Sequence, residues 1–367
     1  MYKTCHLTSA HPRFDTRIFI KQCCSLAKEY QVTLLVADGL GDEIKNNVSI
    51  YDVGEFNGRR NRMFYAPKAL LKKALSLDAD IYHLHDPELM PIGLKLKKLG
   101  KKVIFDAHED LPSQVLSKHY LNPFVKKPLS MAIKIFESHV CSRLDGVVAA
   151  TPFIRDKFLK INSNTVDINN YPKLEEFNTT EISNKAENQV CYIGALTDVR
   201  GIVEMVESIE VTKNTTQLKI AGSFADKLIE QKVNKMFGWN KVDYLGFVNR
   251  EDIKNILSES VVGLVILHPT LSYVESLPVK MFEYMCAGIP VIASDFPLWR
   301  SIIDETKCGL CVNPLKPYEV AKAIDYFIDN PEKAITMGRN GKNAVIKKYN
   351  WDIEEAKLFH IYNKLLT

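Results

Sequence analysis

With 367 residues, 46% of them hydrophobic and 25% charged, the chain has the length and composition of about two globular domains. A net charge of +4 is too balanced for a dedicated nucleic-acid binder, and no run of roughly 20 apolar residues is present to span a bilayer. The eight cysteines are scattered through a chain large enough to fold without crosslinks, which points to reduced thiols.

The opening, Met1-Tyr-Lys-Thr-Cys-His6, reads as the start of a strand over 4–9, not as a charged leader before an apolar core, so a cytoplasmic protein is expected. Residues 15–30 predict an amphipathic helix with Ile18, Cys23 and Leu26 along one side. Residues 32–37 form the near-continuous apolar run of a strand buried on both faces. Strands at 48–53, 80–84, 102–107 and 146–150 follow, with helices near 65–77 and over 123–144. Basic residues cluster in this half: Arg59, Arg60 and Arg62; Lys68, Lys72 and Lys73; Lys95, Lys97, Lys98, Lys101 and Lys102; Lys126 and Lys127. Any one cluster is what a solvated helix face looks like. Together they also suit a surface resting peripherally on anionic lipid, at about 1 kcal/mol per residue.

The pattern breaks at Asn169-Asn-Tyr-Pro-Lys173 and in the polar stretch 178–189, which predicts a linker over 173–188 between domains at 1–172 and 189–350. A second alternating series then runs through strands at 190–193, 217–221, 241–245, 261–266 and 290–294, with helices between them and a helical end. Such alternation predicts two doubly wound, Rossmann-like parallel sheets.

The stretch from Tyr273 to Asp295 carries the most chemistry. Pro278 suits the first turn of a helix, and Gly288 with Pro290 suits its end. Within that helix Ser276, Lys280 and Glu283 recur at four- and three-residue intervals and share a face, while Met281, Tyr284 and Met285 read as core. The helix start exposes N–H groups around Ser276 and Leu277, ready for phosphate oxygens, at the carboxyl end of a strand where ligands of open α/β sheets bind. Glu275 precedes it in the loop. On spacing alone two glutamates eight apart carry little; the strand–loop–helix context gives them weight.

This segment resembles the Glu-x7-Glu region, with its Glu-Tyr-Met-x-x-Gly-x-Pro-Val-Ile-Ala-Ser continuation, of the retaining GT-B-fold glycosyltransferases of family 4, and the resemblance extends over essentially the whole chain. It implies two Rossmann-like domains facing across a cleft, with the C-terminal helix 351–367 crossing back to the first. It implies that Glu275 lies by the donor sugar and Glu283 holds the nucleotide ribose, and Lys280 stands where many relatives carry lysine. Gly194-Ala-Leu-Thr-Asp-Val-Arg-Gly201 resembles the family's donor-diphosphate loop, which has two basic residues. Here the first basic position is Ala195, so phosphate binding must lean on Arg200, Lys280 and the helix start. Phe247 and Val248 would border the base, with core packing as the competing account.

In the first half His108, in Val103-Ile-Phe-Asp-Ala-His-Glu-Asp110, resembles the family histidine near the donor sugar, with Glu109 and Asp110 orienting it or touching the acceptor. Asp15, Thr16 and Arg17 fall in the family's acceptor or diphosphate loop, although Asp15 also suits a helix cap. His83 and His85 share a face of one strand. No third and fourth ligand accompanies them in sequence, so no metal is expected there, and an acceptor role for His85 or Asp86 is the alternative. Asp78-Ala-Asp80 reads as a helix end, and Cys308-Gly-Leu-Cys311 lacks the second pair a zinc site needs.

The implied reaction moves a sugar from a nucleotide-diphosphate donor, UDP-sugar favoured over GDP-sugar, to a hydroxyl of a glycan acceptor. It needs no metal or other cofactor. The acceptor would be lipid-diphosphate-linked, as in surface-polysaccharide assembly of the O-antigen or lipopolysaccharide type. A sugar-nucleotide epimerase or a non-catalytic nucleotide-sugar binder on the same fold is the alternative. A nicotinamide oxidoreductase would need a Gly-x-Gly-x-x-Gly after the first strand, and residues 9–17 contain no glycine. The sequence fixes neither sugar, linkage nor oligomeric state.

Overall fold

The computed structural model describes residues 1–117, 121–177, 188–213 and 215–367, so most of the expected linker, residues 178–187, lies outside the described residues. Contacts divide the chain into two units: Met1–Asn170 with Asp352–Thr367, and Tyr171–Trp351.

The first unit holds eight strands: β1 (Lys3–Leu7), β2 (Gln31–Val36), β3 (Glu43–Lys45), β4 (Val48–Asp52), β5 (Ile81–Leu84), β6 (Lys102–Ala107), β7 (Gly146–Ala149) and β8 (Thr165–Asp167). Their spatial order is β3-β4-β2-β1-β5-β6-β7-β8, parallel throughout except for the antiparallel edge strand β3. The second unit holds β9 (Gln189–Ile193), β10 (Gln217–Ala221), β11 (Val242–Tyr244), β12 (Val262–Val265), β13 (Val291–Ser294) and β14 (Gly309–Val312), in the order β11-β10-β9-β12-β13-β14. Both sheets are doubly wound: the order runs outward one way from the unit's first strand and then reverses beside it. The reversal opens a crevice at the carboxyl ends of β1 and β5 in one unit, and of β9 and β12 in the other. Strands β5, β7, β9, β12 and β13 are buried along their whole length, which is why their residues are mostly apolar on both faces.

Residues 15–30 depart from the expected α-helix. The stretch Thr16–Cys23 is π-helical, and only Cys24–Leu26 makes an α-turn. Asp15 caps its start by accepting from the N–H groups of Arg17 and Ile18. The wider turn stacks residues five apart, and it brings both Arg17 and Gln22 onto the buried Asp106 carboxylate. Ile18, Cys23 and Leu26 face the core as the pattern indicates. The helix Trp351–Leu366 belongs almost wholly to the first unit, where Tyr362 is buried against His6 and His83.

Candidate active site

The second unit builds its site on three loops that leave adjacent strands. After β9, Gly194 has φ 151° and lies so close to Lys280 that a Cβ there would sit 2.4 Å from the lysine Cε. After β10, Gly222 has φ 145°, and a Cβ would meet the Gly194 carbonyl oxygen at 1.8 Å. Only glycine allows these two backbones to touch and leave room for a buried lysine. Gly201, left-handed at φ 71°, opens the helix Ile202–Glu210 with no space for a Cβ against the Ile266 carbonyl. That close approach fixes Arg200. Its guanidinium donates to the hydroxyls of Tyr192 and Tyr273, and Tyr192 in turn donates to the Ala195 carbonyl at 2.9 Å.

After β12 the chain makes a helical turn, Leu271–Val274, and then carries Glu275. This glutamate is exposed, and its carboxylate has no partner among the described residues. The following helix, Val279–Cys286, starts one residue later than the proline signal indicates: Pro278 is its cap, at ψ 117°. Ser276 and Leu277 therefore precede the helix. The Ser276 N–H and hydroxyl both donate to the Tyr273 carbonyl, and the Ser276 carbonyl accepts from Trp299 at 2.7 Å. The N–H groups available at the helix start are thus those of Val279 and Lys280, not of Ser276. The helix ends as expected: Gly288, at φ 73°, donates to Met285 and Ile289 donates to Tyr284, the two bonds of a Schellman ending.

Lys280 and Glu283 project from this helix one turn apart. Glu283 is buried, and its Oε1 lies 2.9 Å from Nη1 of Arg250, the first residue of the helix Arg250–Glu259. Burial lowers the Lys280 pKa; Glu283 opposes the shift, and the nearby Arg200 and Arg250 charges reinforce it. Arg250 pairs with Glu283 and lies 3.8 Å from Glu176, Lys280 stands beside Glu283, and the Arg200 charge reaches Lys280, so three cations meet two carboxylates. Such a group holds more positive charge than it neutralises, and it sits at the switch point where an anion can enter. Arg250 escaped the sequence reading; the signal was the Asn249-x-x-Asp252 capping box, which fixes the helix start and hence where Arg250 stands. Val248 packs against the core beside this group, whereas Phe247 is 87% exposed.

In the first unit the residues singled out above separate into two kinds. Arg17 is buried and forks onto Asp106 at 3.0 and 2.7 Å, with a further bond to the Ile168 carbonyl. His85 is fully buried, so it lies behind the surface and cannot meet an acceptor. Asp86 is buried too, its carboxylate held by residues 8–11. Asp15 is a cap, and Thr16 is the half-buried first residue of the π-helical stretch. His108 is 20% exposed, with Nε2 3.2 Å from Asp106 Oδ2, so Asp106 orients it in place of Glu109 or Asp110. Asp110 bonds Ser113 and Lys157, and exposed Glu109 accepts from Gln114.

The structure supplies the third imidazole that the spacing of His83 and His85 lacks. His6 on β1 pairs in register with His83, and its Nδ1 lies 2.9 Å from His85 Nε2. The Tyr362 hydroxyl bridges His83 Nδ1 at 2.8 Å and His6 Nε2 at 3.1 Å. Both nitrogens of His6 are therefore engaged in hydrogen bonds, and the His6 and His85 rings stack with 17° between their planes, so the donor set suits a buried hydrogen-bonded network better than convergence on an ion. Of the two sets aside by sequence, Asp78 is the left-handed cap ending the helix Ala66–Leu77, and Cys308 is a buried free thiol.

Residues 175–344 match the sequence model of the glycosyl transferases group 1, and residues 21–168 that of Glycosyltransferase Family 4. Alpha-D-kanosaminyltransferase of Streptomyces kanamyceticus is 26% identical over 183 residues, which cover 48% of this chain and 45% of that protein. A GDP-mannose-dependent alpha-(1-6)-phosphatidylinositol monomannoside mannosyltransferase of Mycobacterium tuberculosis is 32% identical over 85 residues, 23% of this chain and 22% of that one. The matches thus span about half or less of these relatives. Among solved structures, sucrose-phosphate synthase from Thermosynechococcus elongatus superposes with a TM-score of 0.79 at 17% identity, covering 100% of this chain and 99% of that one. HepE of Anabaena in complex with UDP does so at 0.75 and 13% identity, covering 99% and 100%. Two doubly wound parallel sheets and a family match to each half lead to one assignment: the chain belongs to the family 4 glycosyltransferases of the GT-B fold.

Proposed function

We propose that this protein transfers a sugar from a nucleoside-diphosphate donor to an acceptor hydroxyl, with retention at the anomeric carbon, and that the second unit holds the donor. The observation that carries this reading is the cluster at the β9/β12 switch point, where Arg250 pairs with buried Glu283, Lys280 lies beside that pair against Gly194, and the Arg200 charge reaches Lys280. As the bond between anomeric carbon and phosphate oxygen breaks, negative charge grows on the leaving diphosphate. Cations already fixed in place stabilise that charge without reorganising. Arg200, held by two tyrosine hydroxyls, and Lys280, held against Gly194, suit that task with no metal ion. Glu275, exposed and unpaired, is free to face a sugar and its developing positive charge. Glu283 is the ribose ligand, held in place by Arg250. A UDP-sugar is favoured, since solved structures of the same fold contain UDP and UDP-glucose.

The test is a panel of UDP- and GDP-sugars screened for thermal stabilisation. A ligand at 100 times its dissociation constant adds about 2.7 kcal/mol to the folded state. One donor should raise the melting temperature, and Lys280→Ala should cut the rise to about half or less; no response to any donor sinks the reading. Product analysis then separates transfer, which releases nucleoside diphosphate, from epimerisation, which does not.

We further propose that the first unit rests on an anionic membrane surface, where a lipid-linked acceptor would be met. The helix Pro123–Cys141 exposes Phe124, Val125, Met131, Ile135 and Phe136 beside Lys127 and Lys134. The helix Arg59–Phe64 buries none of its residues and exposes Phe64. Apolar side chains mixed with lysine and arginine are what an interfacial helix needs, and no helix among the described residues is long and apolar enough to cross a membrane. Sedimentation with vesicles containing phosphatidylglycerol should carry the protein down at low salt and release it at high salt. Protein left in the supernatant at low salt refutes the proposal.

A further inference from the structure

In the second unit one side chain links the loops that leave β9 and β12. Arg200 comes from the first loop, and it meets Tyr192 of β9 and Tyr273 of the turn Leu271–Val274. Arginine only donates hydrogen bonds, so both phenol oxygens accept from it. Each phenol then has one proton left to give. Tyr192 donates its proton to the Ala195 carbonyl at 2.9 Å. The Tyr273 proton has no acceptor among the described residues; the remaining hydrogen bonds of this residue are made by its backbone.

The two phenols stand at the cations of the switch point. A Cβ on Gly194 would lie 3.2 Å from Tyr192 Oη and 3.4 Å from Lys280 Nζ, so that hydroxyl and that ammonium flank the same glycine. Tyr273 is held at both ends. Its ring is half-buried and packs against the core of the unit. Its N–H donates to the Thr270 carbonyl at 3.0 Å, and its carbonyl accepts from the Ser276 N–H at 3.0 Å and Ser276 Oγ at 2.8 Å. The turn from Thr270 to Ser276 is thereby closed around Tyr273, with Glu275 on the same turn. A phenol that accepts from a guanidinium is also a stronger donor, because the cation draws charge from its oxygen. Such a proton, fixed beside cations and without an acceptor in the chain, suits an anion.

We propose that Tyr273 is a further ligand of the nucleoside-diphosphate donor: its hydroxyl accepts from Arg200 and donates to a diphosphate oxygen. This rests on the donor reading above and adds to it a hydroxyl donor from the turn that carries Glu275. Tyr192 makes the same bond to Arg200 but has no proton to give, so it is a positioning residue for the arginine. No proton is transferred in either contact.

Calorimetry with the nucleoside diphosphate of the stabilising donor, UDP or GDP, and with its nucleoside separates the two tyrosines. Tyr273→Phe keeps the ring and removes the hydroxyl. It should weaken binding of the diphosphate about tenfold or more, since the lost bond is to a charged partner, and leave nucleoside affinity unchanged. Tyr192→Phe should weaken the diphosphate about threefold or less, since its effect passes through Arg200. Wild-type affinity for the diphosphate in Tyr273→Phe overturns the proposal. An equal loss in the two variants also overturns it, because Tyr273 would then only hold Arg200, and so does a loss in Tyr273→Phe that is the same for diphosphate and nucleoside. Should Tyr273→Phe not fold, the Cζ resonance of Tyr273 in wild type carrying isotope-labelled tyrosine replaces it: the resonance should shift on adding the diphosphate and not on adding the nucleoside, and an unmoved resonance overturns the proposal. Wild type that binds UDP or GDP with no effect of Tyr273→Phe removes this inference alone, whereas wild type that binds neither removes the donor reading and this inference with it.

Discussion

The two switch points share one topology and carry opposite chemistry. In each unit the crevice opens where the strand order reverses beside the first strand. At the second, glycines draw backbones together and Arg200, Arg250 and Lys280 outnumber the carboxylates Glu283 and Glu176. At the first there are no glycines in residues 8–11; hydroxyl and N–H donors wrap Asp86, and imidazoles face two buried carboxylates. The fold determines where a crevice opens, and the loop side chains determine its charge: cations predominate at one, while imidazoles face carboxylates at the other.

The hardest test of that division is Glu275→Ala. If this exposed carboxylate faces developing positive charge, its loss should lower turnover roughly 100- to 1,000-fold, with calorimetric affinity for UDP unchanged. Equal turnover would mean that the second crevice binds an anion without acting on the sugar.

Lys280→Ala should act in the opposite way, on affinity. A buried hydrogen bond to a charged partner contributes about 1.5–3 kcal/mol, so UDP should bind some 10- to 100-fold more weakly. Lys101→Ala, in a surface pair of the first unit, is the control and should leave UDP affinity alone. A similar loss in both would show that net charge, and not the built group, holds the nucleotide.

A smaller effect separates the units by pH. Burial and mutual repulsion hold His6 and His83 well below the ordinary histidine pKa, and burial pushes His85 down to about 3 despite Asp106. The unfolded chain takes up protons at these residues below about pH 6.5 while the folded chain does not, so their contribution is full above that pH and is lost as pH falls. At pH 5 each costs on the order of 2 kcal/mol relative to pH 8. His11, with its pKa raised, works in the reverse direction, but it is one group against three. The second unit contains a single histidine, His268. Hydrogen exchange at pH 5 should therefore rise first in β1 and β5, and equal loss of protection in both sheets would break the comparison.

The second crevice was the legible one. Its helix announces itself by Pro278, Gly288 and Pro290, and its loop by Gly194 and Gly201, because sharp starts, stops and positive φ angles leave residue signatures. The first crevice is built from long-range pairs: His6 meets His83 and His85 across strands 77 residues apart, and Arg17 reaches Asp106 through a π-helical turn that no α-helical period reveals. The pairing of His11 with Asp86, 75 positions on, had no periodic or spacing signal, and only the register of β1 against β5 brings the two together. The three-residue strands β3 and β8 were too short to show a period.

The smallest expected effect concerns Ala195, where relatives carry a second basic residue. Arg250 is the candidate replacement. Its side chain is 43% exposed while Glu283 is 8% exposed, so solvent screens the pair and it is worth about 1 kcal/mol. Arg250→Ala should therefore weaken UDP binding about fivefold. Two accounts of that loss differ in what restores it. If Arg250 supplies charge to the diphosphate, adding Ala195→Arg to the Arg250→Ala protein should recover the affinity, because a cation returns to the loop after β9. If Arg250 serves only to hold the Glu283 carboxylate, the added arginine cannot help, and Glu283→Gln in the same background should cost no more than Glu283→Gln alone. Calorimetry on the two double variants decides between them, and full recovery with Ala195→Arg would make the anion-binding character of the second crevice a property of its summed charge as well as of its fixed loops.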